Sequence, residues 1–172
     1  MKNILFLILS AIPLLSLFSC SSDNLSQDGS IIRTGDLIPN FTVEMNDGST
    51  VTGQSLRSGV SCIVFFNTAC PDCNSTMPYI QSIYDRYSTR GVKFAIISRE
   101  EGNDTVSAYW KDNGFTMPYS AQTNRAVYNL FASHTIPRIY IGNLSGRIVA
   151  CFDDSPLPTD VEISSLLDQF IR

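Results

Sequence analysis

The amino-acid sequence predicts an α/β fold. Apolar runs of strand length alternate with segments of helical periodicity along the chain. Two of these runs, residues 60–67 and 92–98, are almost continuously apolar, which is typical of strands buried in the middle of a sheet. The 172 residues are 44% hydrophobic, enough for the core of one domain. The formal charge of −4 and the absence of a basic run argue against nucleic acid as a partner.

The first half of the domain predicts a hairpin, a buried strand and a long helix. Residues 41–45 alternate like a half-buried strand, Asn46-Asp47-Gly48 supplies a turn, and residues 49–52 return as the partner strand. After the strand at 60–67, apolar side chains at spacings of three and four predict a helix: Met77, Ile80, Tyr84 and Tyr87. Pro78 lies inside this helix and predicts a kink, and Gly91 predicts its end.

The second half predicts three more helices and a second hairpin. One helix is expected to begin with Asp104 as its N-cap and to end at Gly114, and another to begin at Asn124. The inner residues of that second helix would be Val127, Leu130 and Phe131. Two strands, 138–141 and 147–152, are separated by a glycine-containing turn. A closing amphipathic helix spans 161–171, with four apolar positions: Val161, Leu166, Leu167 and Phe170.

Two cysteines lie where the first buried strand runs into its helix, in Cys70-Pro71-Asp72-Cys73. A helix N-terminus offers unpaired N–H groups and a positive dipole end, which favour a thiolate at Cys70 and make it the nucleophile. Cys73 lies one turn deeper and is placed to attack a mixed disulfide and release the partner. The pattern predicts dithiol–disulfide exchange that needs no cofactor beyond the redox-active Cys70–Cys73 disulfide itself.

A zinc site and a structural disulfide are the alternative uses of this cysteine pair. A zinc site needs two more ligands, and Cys62, His134 and Cys151 lack the paired spacing of a second half-site. A purely structural disulfide would close only a four-residue loop, which removes little entropy from the unfolded chain. Cys62 and Cys151 lie in apolar strand contexts and are expected to be small buried hydrophobic residues. His134, the only histidine, is expected to be a loop residue.

The N-terminus carries a targeting segment. Met1-Lys2-Asn3 is followed by an apolar stretch over residues 4–18, and Leu17-Phe18-Ser19-Cys20 ends it before the chain turns polar. This resembles a bacterial lipoprotein signal, which implies lipidation of Cys20. We therefore expect a signal peptide at 1–19, a flexible tether at 20–33 and the folded domain at 34–172. An ordinary cleaved signal or an uncleaved anchor is the alternative.

Four features together resemble the TlpA-like thiol–disulfide oxidoreductases of the bacterial cell envelope. They are Gly35-Asp36-x-x-Pro39-x-Phe41, the cysteine pair with Pro78 five residues later, Ile136-Pro137, and the hairpin at 146–149. The resemblance implies a thioredoxin-like fold: a central mixed sheet flanked by helices, with the first hairpin as an N-terminal extension. It also implies a cis bond before Pro137, which would lie against the cysteine pair. Ile136, Pro71 and Asp72 would help to bind an extended peptide.

Three positions depart from the family pattern. Ala69 stands where the family usually has tryptophan, and Thr76 stands where many members have glutamate. Val64 replaces the buried aspartate of thioredoxin. The usual proton acceptors for Cys73 are therefore absent, and Glu100 or Glu101, just beyond the second buried strand, is a hypothetical substitute.

The resemblance also implies partners and a place of action. We expect protein dithiols and disulfides of the cell envelope as partners, with a donor or acceptor of electrons in the membrane. The lipid at Cys20 would hold the domain on a membrane, facing the periplasm. The charge of Asp72 opposes a thiolate at Cys70, and Ile136 precedes Pro137 as in thioredoxin. Both features favour a reductant.

Two competing functions remain open at this point. A peroxiredoxin-type peroxidase shares the Gly-Asp-x-x-Pro-x-Phe start, but its Pro-x-x-x-Thr-x-x-Cys pattern requires a proline that is missing before Cys70. A copper-binding assembly factor, which is not an enzyme, would use Cys70, Cys73 and His134. Such families usually space their cysteines one residue wider.

Overall fold

The computed structural model describes residues 29–171, and it confirms the predicted fold class. A four-stranded mixed sheet is flanked by helices, and a separate two-stranded sheet precedes it along the chain. The predicted signal peptide and Cys20 lie outside the described residues. Within 29–171, no helix has the length and apolar character needed to cross a membrane.

The predicted N-terminal hairpin is present. Strands β1 (Thr42–Glu44) and β2 (Thr50–Thr52) are antiparallel, with Val43 opposite Val51. Gly48 in the turn has a φ of 82°, a conformation that glycine adopts without steric cost.

The main sheet has the strand order β4-β3-β5-β6. Its strands are β3 (Ser61–Phe66), β4 (Lys93–Ser98), β5 (Arg138–Gly142) and β6 (Ile148–Phe152). Strand β3 is parallel to β4 and antiparallel to β5, and all six of its residues are buried. This central position explains why its sequence is apolar without alternation.

The helices are α1 (Gly53–Arg57), α2 (Pro71–Tyr87), α3 (Asn103–Asn113) and α4 (Asp160–Phe170). The short α1 was not predicted from the sequence. Pro78 lies inside α2 without ending it, and a 3-10 turn over Ser88–Arg90 leads to Gly91, whose φ is 88°.

Three predictions about helices were wrong. The N-cap of α3 is Gly102. Asp104 lies in the first turn, where its negative charge interacts favourably with the positive end of the helix dipole. No helix begins at Asn124: its carboxamide accepts a hydrogen bond from the N–H of Ala126, and only a 3-10 turn over Tyr128–Leu130 follows. Leu130 of that segment is exposed rather than inward-facing.

The apolar face of α4 was assigned correctly at Leu167 and Phe170, whereas Val161 was wrong and Ile163 was missed. Val161 in its first turn is 69% exposed, whereas Ile163 and Leu167, one turn apart, are fully buried. Positions 163 and 167 therefore define the buried stripe.

Residues 29–32, at the end of the predicted tether, are hydrogen-bonded to the domain. The carbonyl of Phe131 accepts bonds from the N–H groups of Ile31 and Ile32, and Gly29 O accepts one from Ser133 N at 2.8 Å. The chain thus enters the domain beside the loop that leads to Pro137.

Candidate active site

Cys70 is the N-cap of α2. Its φ and ψ of −85° and 120° are extended, and its Sγ accepts a hydrogen bond from the N–H of Cys73 at 3.4 Å. Pro71 begins the helix, where its missing N–H costs nothing. Cys70 is partly exposed and Cys73 is fully buried. Pro71 and Asp72 between them are exposed, so one sulfur atom is accessible and the second lies beneath it.

The loop before Cys70 is held by hydrogen bonds of its own. Asn67 accepts two of them: its carbonyl from Cys70 N at 3.2 Å and its side-chain Oδ1 from Ala69 N at 3.0 Å. Glu101 accepts from both the N–H and the hydroxyl of Thr68, at 2.6 and 2.7 Å. These contacts fix the backbone that leads from β3 into the cysteine pair.

The loop before β5 meets the cysteine pair from the other side. The bond between Ile136 and Pro137 is cis, as the family resemblance implies. The Cys70 thiol donates to the carbonyl of Ile136, with 3.5 Å between Sγ and O. The structure thus brings together the residues singled out from the sequence: Cys70, Pro71, Asp72, Cys73, Ile136 and Pro137.

Burial strongly raises the pKa of the Cys73 thiol. A hydrogen bond from the Asn67 backbone acts in the opposite direction, whereas the neighbouring Cys70 raises this pKa further. The positive charge of Arg99 also lowers it. The groups that favour a Cys73 thiolate are therefore a main-chain amide and a cation.

The structure gives other partners to the carboxylates suggested as proton acceptors. Glu100 is exposed and pairs with Arg125, whose hydrogen bond is the main cause of a lowered Glu100 pKa. Glu101 is engaged by Thr68. The hydroxyl of Thr76 is also used, since it donates to the carbonyl of Asp72 at 2.8 Å.

Two residues of the site were missed from the sequence. Arg99 directly follows β4, and its N–H bonds to the carbonyl of Phe66 at the end of β3. Because parallel strands end at the same edge of a sheet, the position of Arg99 directly after β4 could have indicated that it lies near the cysteine pair after β3. Tyr109 of α3 is near enough for the charges of both active-site cysteines to act on it, although burial is the main reason that its pKa rises to about 12. No sequence signal marked Tyr109.

The remaining candidates lie elsewhere. Cys62 on β3 is fully buried, which raises its pKa to about 12, and Cys151 on β6 is half-buried. Strand β5 lies between them: its residue Ile141 is opposite Cys62, and its residue Tyr140 is opposite Cys151. Among residues 29–171, no three His, Cys, Asp or Glu side chains are grouped to hold a metal ion. Cys70, Cys73 and His134, the residues suggested for a copper site, are thus not grouped in this way.

Comparison with known proteins supports the same assignment. Residues 33–151 match the Redoxin family. The thiol-disulfide oxidoreductase ResA of Oceanobacillus iheyensis is 29% identical over 129 residues, which cover 73% of this chain and 67% of the relative. ResA of Halalkalibacterium halodurans is 25% identical over 126 residues, covering 73% and 72%.

Two solved structures have a similar fold. A putative protein disulfide isomerase from Bacteroides thetaiotaomicron superposes with a TM-score of 0.74 and 28% identity, covering 83% of this chain and 92% of the other. A thiol:disulfide interchange protein from Chlorobium tepidum superposes with a TM-score of 0.69 and 20% identity, covering 81% of this chain and 99% of the other. At that identity the likeness supports the fold alone. With the fold, the paired cysteines and these relatives in place, the chain belongs to the Redoxin family and is a thioredoxin-like thiol–disulfide oxidoreductase.

Proposed function

We propose that the protein reduces disulfides of other proteins in the bacterial cell envelope, with Cys70 as the nucleophile and Cys73 as the resolving thiol. The observation that carries this proposal is the asymmetry of the pair. Cys70 Sγ is accessible at the helix start and lies 3.4 Å from the N–H of Cys73, whose own side chain is buried. An incoming disulfide therefore meets Cys70 first.

The proposed reaction has two exchange steps. The Cys70 thiolate attacks a substrate sulfur, which forms a mixed disulfide and releases the first substrate thiolate. The Cys73 thiolate then attacks Cys70 Sγ, which closes the Cys70–Cys73 disulfide and releases the second substrate thiolate. Two electrons pass from the protein to the substrate, and the released thiolates take up protons from water.

The second step requires Cys73 to lose its proton. Burial opposes this loss, and the Asn67 amide and the charge of Arg99 assist it. When Cys70 attacks the substrate disulfide, the first substrate thiolate is released beside the pair and can take up the proton of the Cys73 thiol. We infer that main-chain and cationic stabilisation of the Cys73 thiolate replaces the carboxylate that many relatives place beneath the second cysteine.

The substrate is proposed to bind over the cysteine pair. Pro71 and Asp72 form the exposed edge of the helix start, and Ile136 and Pro137 form the opposite side, with the Ile136 carbonyl 3.5 Å from Cys70 Sγ. An extended segment on either side of a substrate cysteine fits between them. The exposed charge of Asp72 beside Cys70 supports the reductant direction, because it disfavours the thiolate of the reduced form.

The place of action is proposed from the sequence and the relatives. Leu17-Phe18-Ser19-Cys20 has the pattern of a lipidated N-terminus, so the domain would be held at a membrane and receive electrons from a membrane protein. Incorporation of labelled palmitate that is lost in Cys20→Ser would support the anchor. Equal labelling of both proteins would exclude lipidation at this cysteine.

The direction of electron flow is tested by the reduction potential of the pair. Residues 21–172 with Cys62 and Cys151 replaced by Ala would be equilibrated against glutathione and dithiothreitol buffers. We expect a single two-electron transition near or below about −230 mV, the range of thioredoxin and the glutaredoxins. A value near about −120 mV, typical of strong oxidants, would overturn the reductant direction. Loss of the transition in Cys70→Ser and Cys73→Ser provides the control, and its absence in the parent protein would overturn the proposed function.

A further inference from the structure

Thr135, next to Ile136 and two residues before Pro137, has an unusual backbone. Its φ is 65°, the only positive φ of a non-glycine residue within 29–171. A β-branched side chain is sterically disfavoured in this region. The Thr135 hydroxyl is in addition buried without a hydrogen-bond partner among the described residues. Strain of this kind persists only where the surrounding structure enforces it, and it concentrates at functional sites.

Tyr128 contacts the main chain of this strained residue. Its hydroxyl donates to the main-chain carbonyl of Thr135 at 2.7 Å. The ring is buried, packs edge-on against Phe65 at 5.5 Å between centroids, and is covered by the guanidinium of Arg99 at 5.8 Å. A side chain held on several sides can act as a fixed hydrogen-bond donor. It therefore fixes where the Thr135 carbonyl points.

A fixed carbonyl also fixes the next N–H group. The peptide between Thr135 and Ile136 is trans, so its C=O and N–H point in opposite directions. With the carbonyl turned towards Tyr128, the N–H of Ile136 points away from Tyr128. No acceptor within 29–171 pairs with that N–H, while the carbonyl of the same residue receives the thiol of Cys70. A main-chain donor thus lies ready beside the nucleophile.

We propose that Tyr128 is a positioning residue: by holding the Thr135 carbonyl it presents the Ile136 N–H to a backbone carbonyl of an extended polypeptide docked beside Cys70. The inference rests on the proposed function, and it adds a requirement on the substrate. Tyr128 matters for disulfides embedded in a polypeptide and is irrelevant for small disulfides that have no backbone. Tyr128 acts through the main chain of the loop, by its hydrogen bond to the Thr135 carbonyl.

The test compares two substrates in the full-length protein. Reduced wild type, Tyr128→Phe and the matched control Tyr87→Phe would react with insulin, a polypeptide disulfide, and with 2-hydroxyethyl disulfide. Tyr87 also donates from a buried hydroxyl to a main-chain carbonyl, that of Ser164 at 3.3 Å, but on the α4 side of the domain. The control removes the same chemical group far from the docking loop.

We expect Tyr128→Phe to reduce insulin about tenfold more slowly, in line with the loss of one well-placed hydrogen bond. Its rate with 2-hydroxyethyl disulfide stays within about twofold of wild type, as do both rates of Tyr87→Phe. Adding Thr135→Gly to Tyr128→Phe should restore the insulin rate, because glycine adopts a positive φ without steric cost. A rescue of this kind distinguishes positioning from general damage to the fold.

Several results would overturn the proposal. They are an equal loss with both substrates, a loss matched by Tyr87→Phe, or no loss at all. Should Tyr128→Phe fail to fold, amide hydrogen exchange of Ile136 in a Cys73→Ser mixed disulfide decides. Protection with insulin but not with the 2-hydroxyethyl adduct supports the proposal, and no protection with either overturns it. A wild type inactive with both substrates would instead refute the proposed function.

Discussion

The carboxylate of Glu101 accepts two hydrogen bonds from Thr68, at 2.6 Å from the main-chain nitrogen and at 2.7 Å from the hydroxyl. Thr68 lies two residues before Cys70, so this contact ties the segment after β4 to the loop that leads into the cysteine pair. The sequence suggested Glu101 as a proton acceptor for Cys73. In the structure, both of its carboxylate oxygens hold the loop before Cys70.

Glu101→Ala should therefore act on stability and loop geometry. Removing a charged acceptor that serves two donors is expected to lower the free energy of unfolding by about 2 kcal/mol, measured by urea denaturation. Glu101→Gln keeps one acceptor oxygen and should cost less. Neither change should move the pH dependence of disulfide reduction. A shifted pH profile in Glu101→Gln would instead indicate that the carboxylate handles the Cys73 proton.

Arg99 should control the reactivity of the buried cysteine. Its positive charge lowers the pKa of Cys73, so Arg99→Met is expected to raise that pKa further and to slow closure of the Cys70–Cys73 disulfide at neutral pH. The rate of mixed-disulfide resolution as a function of pH measures this effect. Arg125→Met is the matched control, because Arg125 pairs with Glu100 and is not among the groups that act on Cys73. Identical pH profiles for the two variants would contradict the assignment.

Asp72 should tune the reduction potential. It lies in the exposed first turn of α2, where removal of its charge stabilises the Cys70 thiolate and therefore the reduced form. Interactions between exposed charges amount to about 0.2–1 kcal/mol, so Asp72→Asn should raise the potential by about 4–20 mV. Glutathione equilibration measures the shift. The exposed Asp85 near the end of the same helix offers a control, since Asp85→Asn should leave the potential unchanged.

Cys62 should make the reduced protein sensitive to alkaline pH. Burial raises its pKa from 9.0 to about 12, so between these values the unfolded thiol ionises and the folded thiol does not. The folded state then holds one more proton, and stability is lost as pH rises. The loss attributable to Cys62 is about 1.4 kcal/mol per pH unit above 9.0. Unfolding of wild type and Cys62→Ala under reducing conditions should show a shallower pH dependence in the variant. Parallel curves would show that Cys62 ionises equally in both states.

The parts predicted well from the sequence are those with a strong local signal. Strands β3 and β4 were placed to within one residue at each end, because continuous apolar runs between turn residues have few other structures available. The cysteine pair at the start of α2 was found in the same way, from its position between a buried strand and a helix.

The parts that failed depend on contacts between distant segments. The periodicity after Asn124 favoured a helix, but the carbonyl of Phe131 is used by Ile31 and Ile32 from the N-terminal segment instead. Tertiary hydrogen bonds thus override a local helical preference. The same holds for the site: the contact between Tyr128 and Thr135 depends on how the loop before Pro137 folds back on the 3-10 turn.

The order of the strands has a consequence for repeated turnover. Four cysteines in the domain permit three complete pairings, and the proposed reaction uses only the one that joins Cys70 to Cys73. The second bond of that pairing would join Cys62 on β3 to Cys151 on β6, and β5 lies between these two strands. Two strand spacings place them about 9–10 Å apart, beyond the Cα separation of about 7 Å that a disulfide can bridge. Cys62 and Cys151 can therefore remain unjoined to each other while Cys70 and Cys73 are oxidised and reduced, so long as the sheet stays intact.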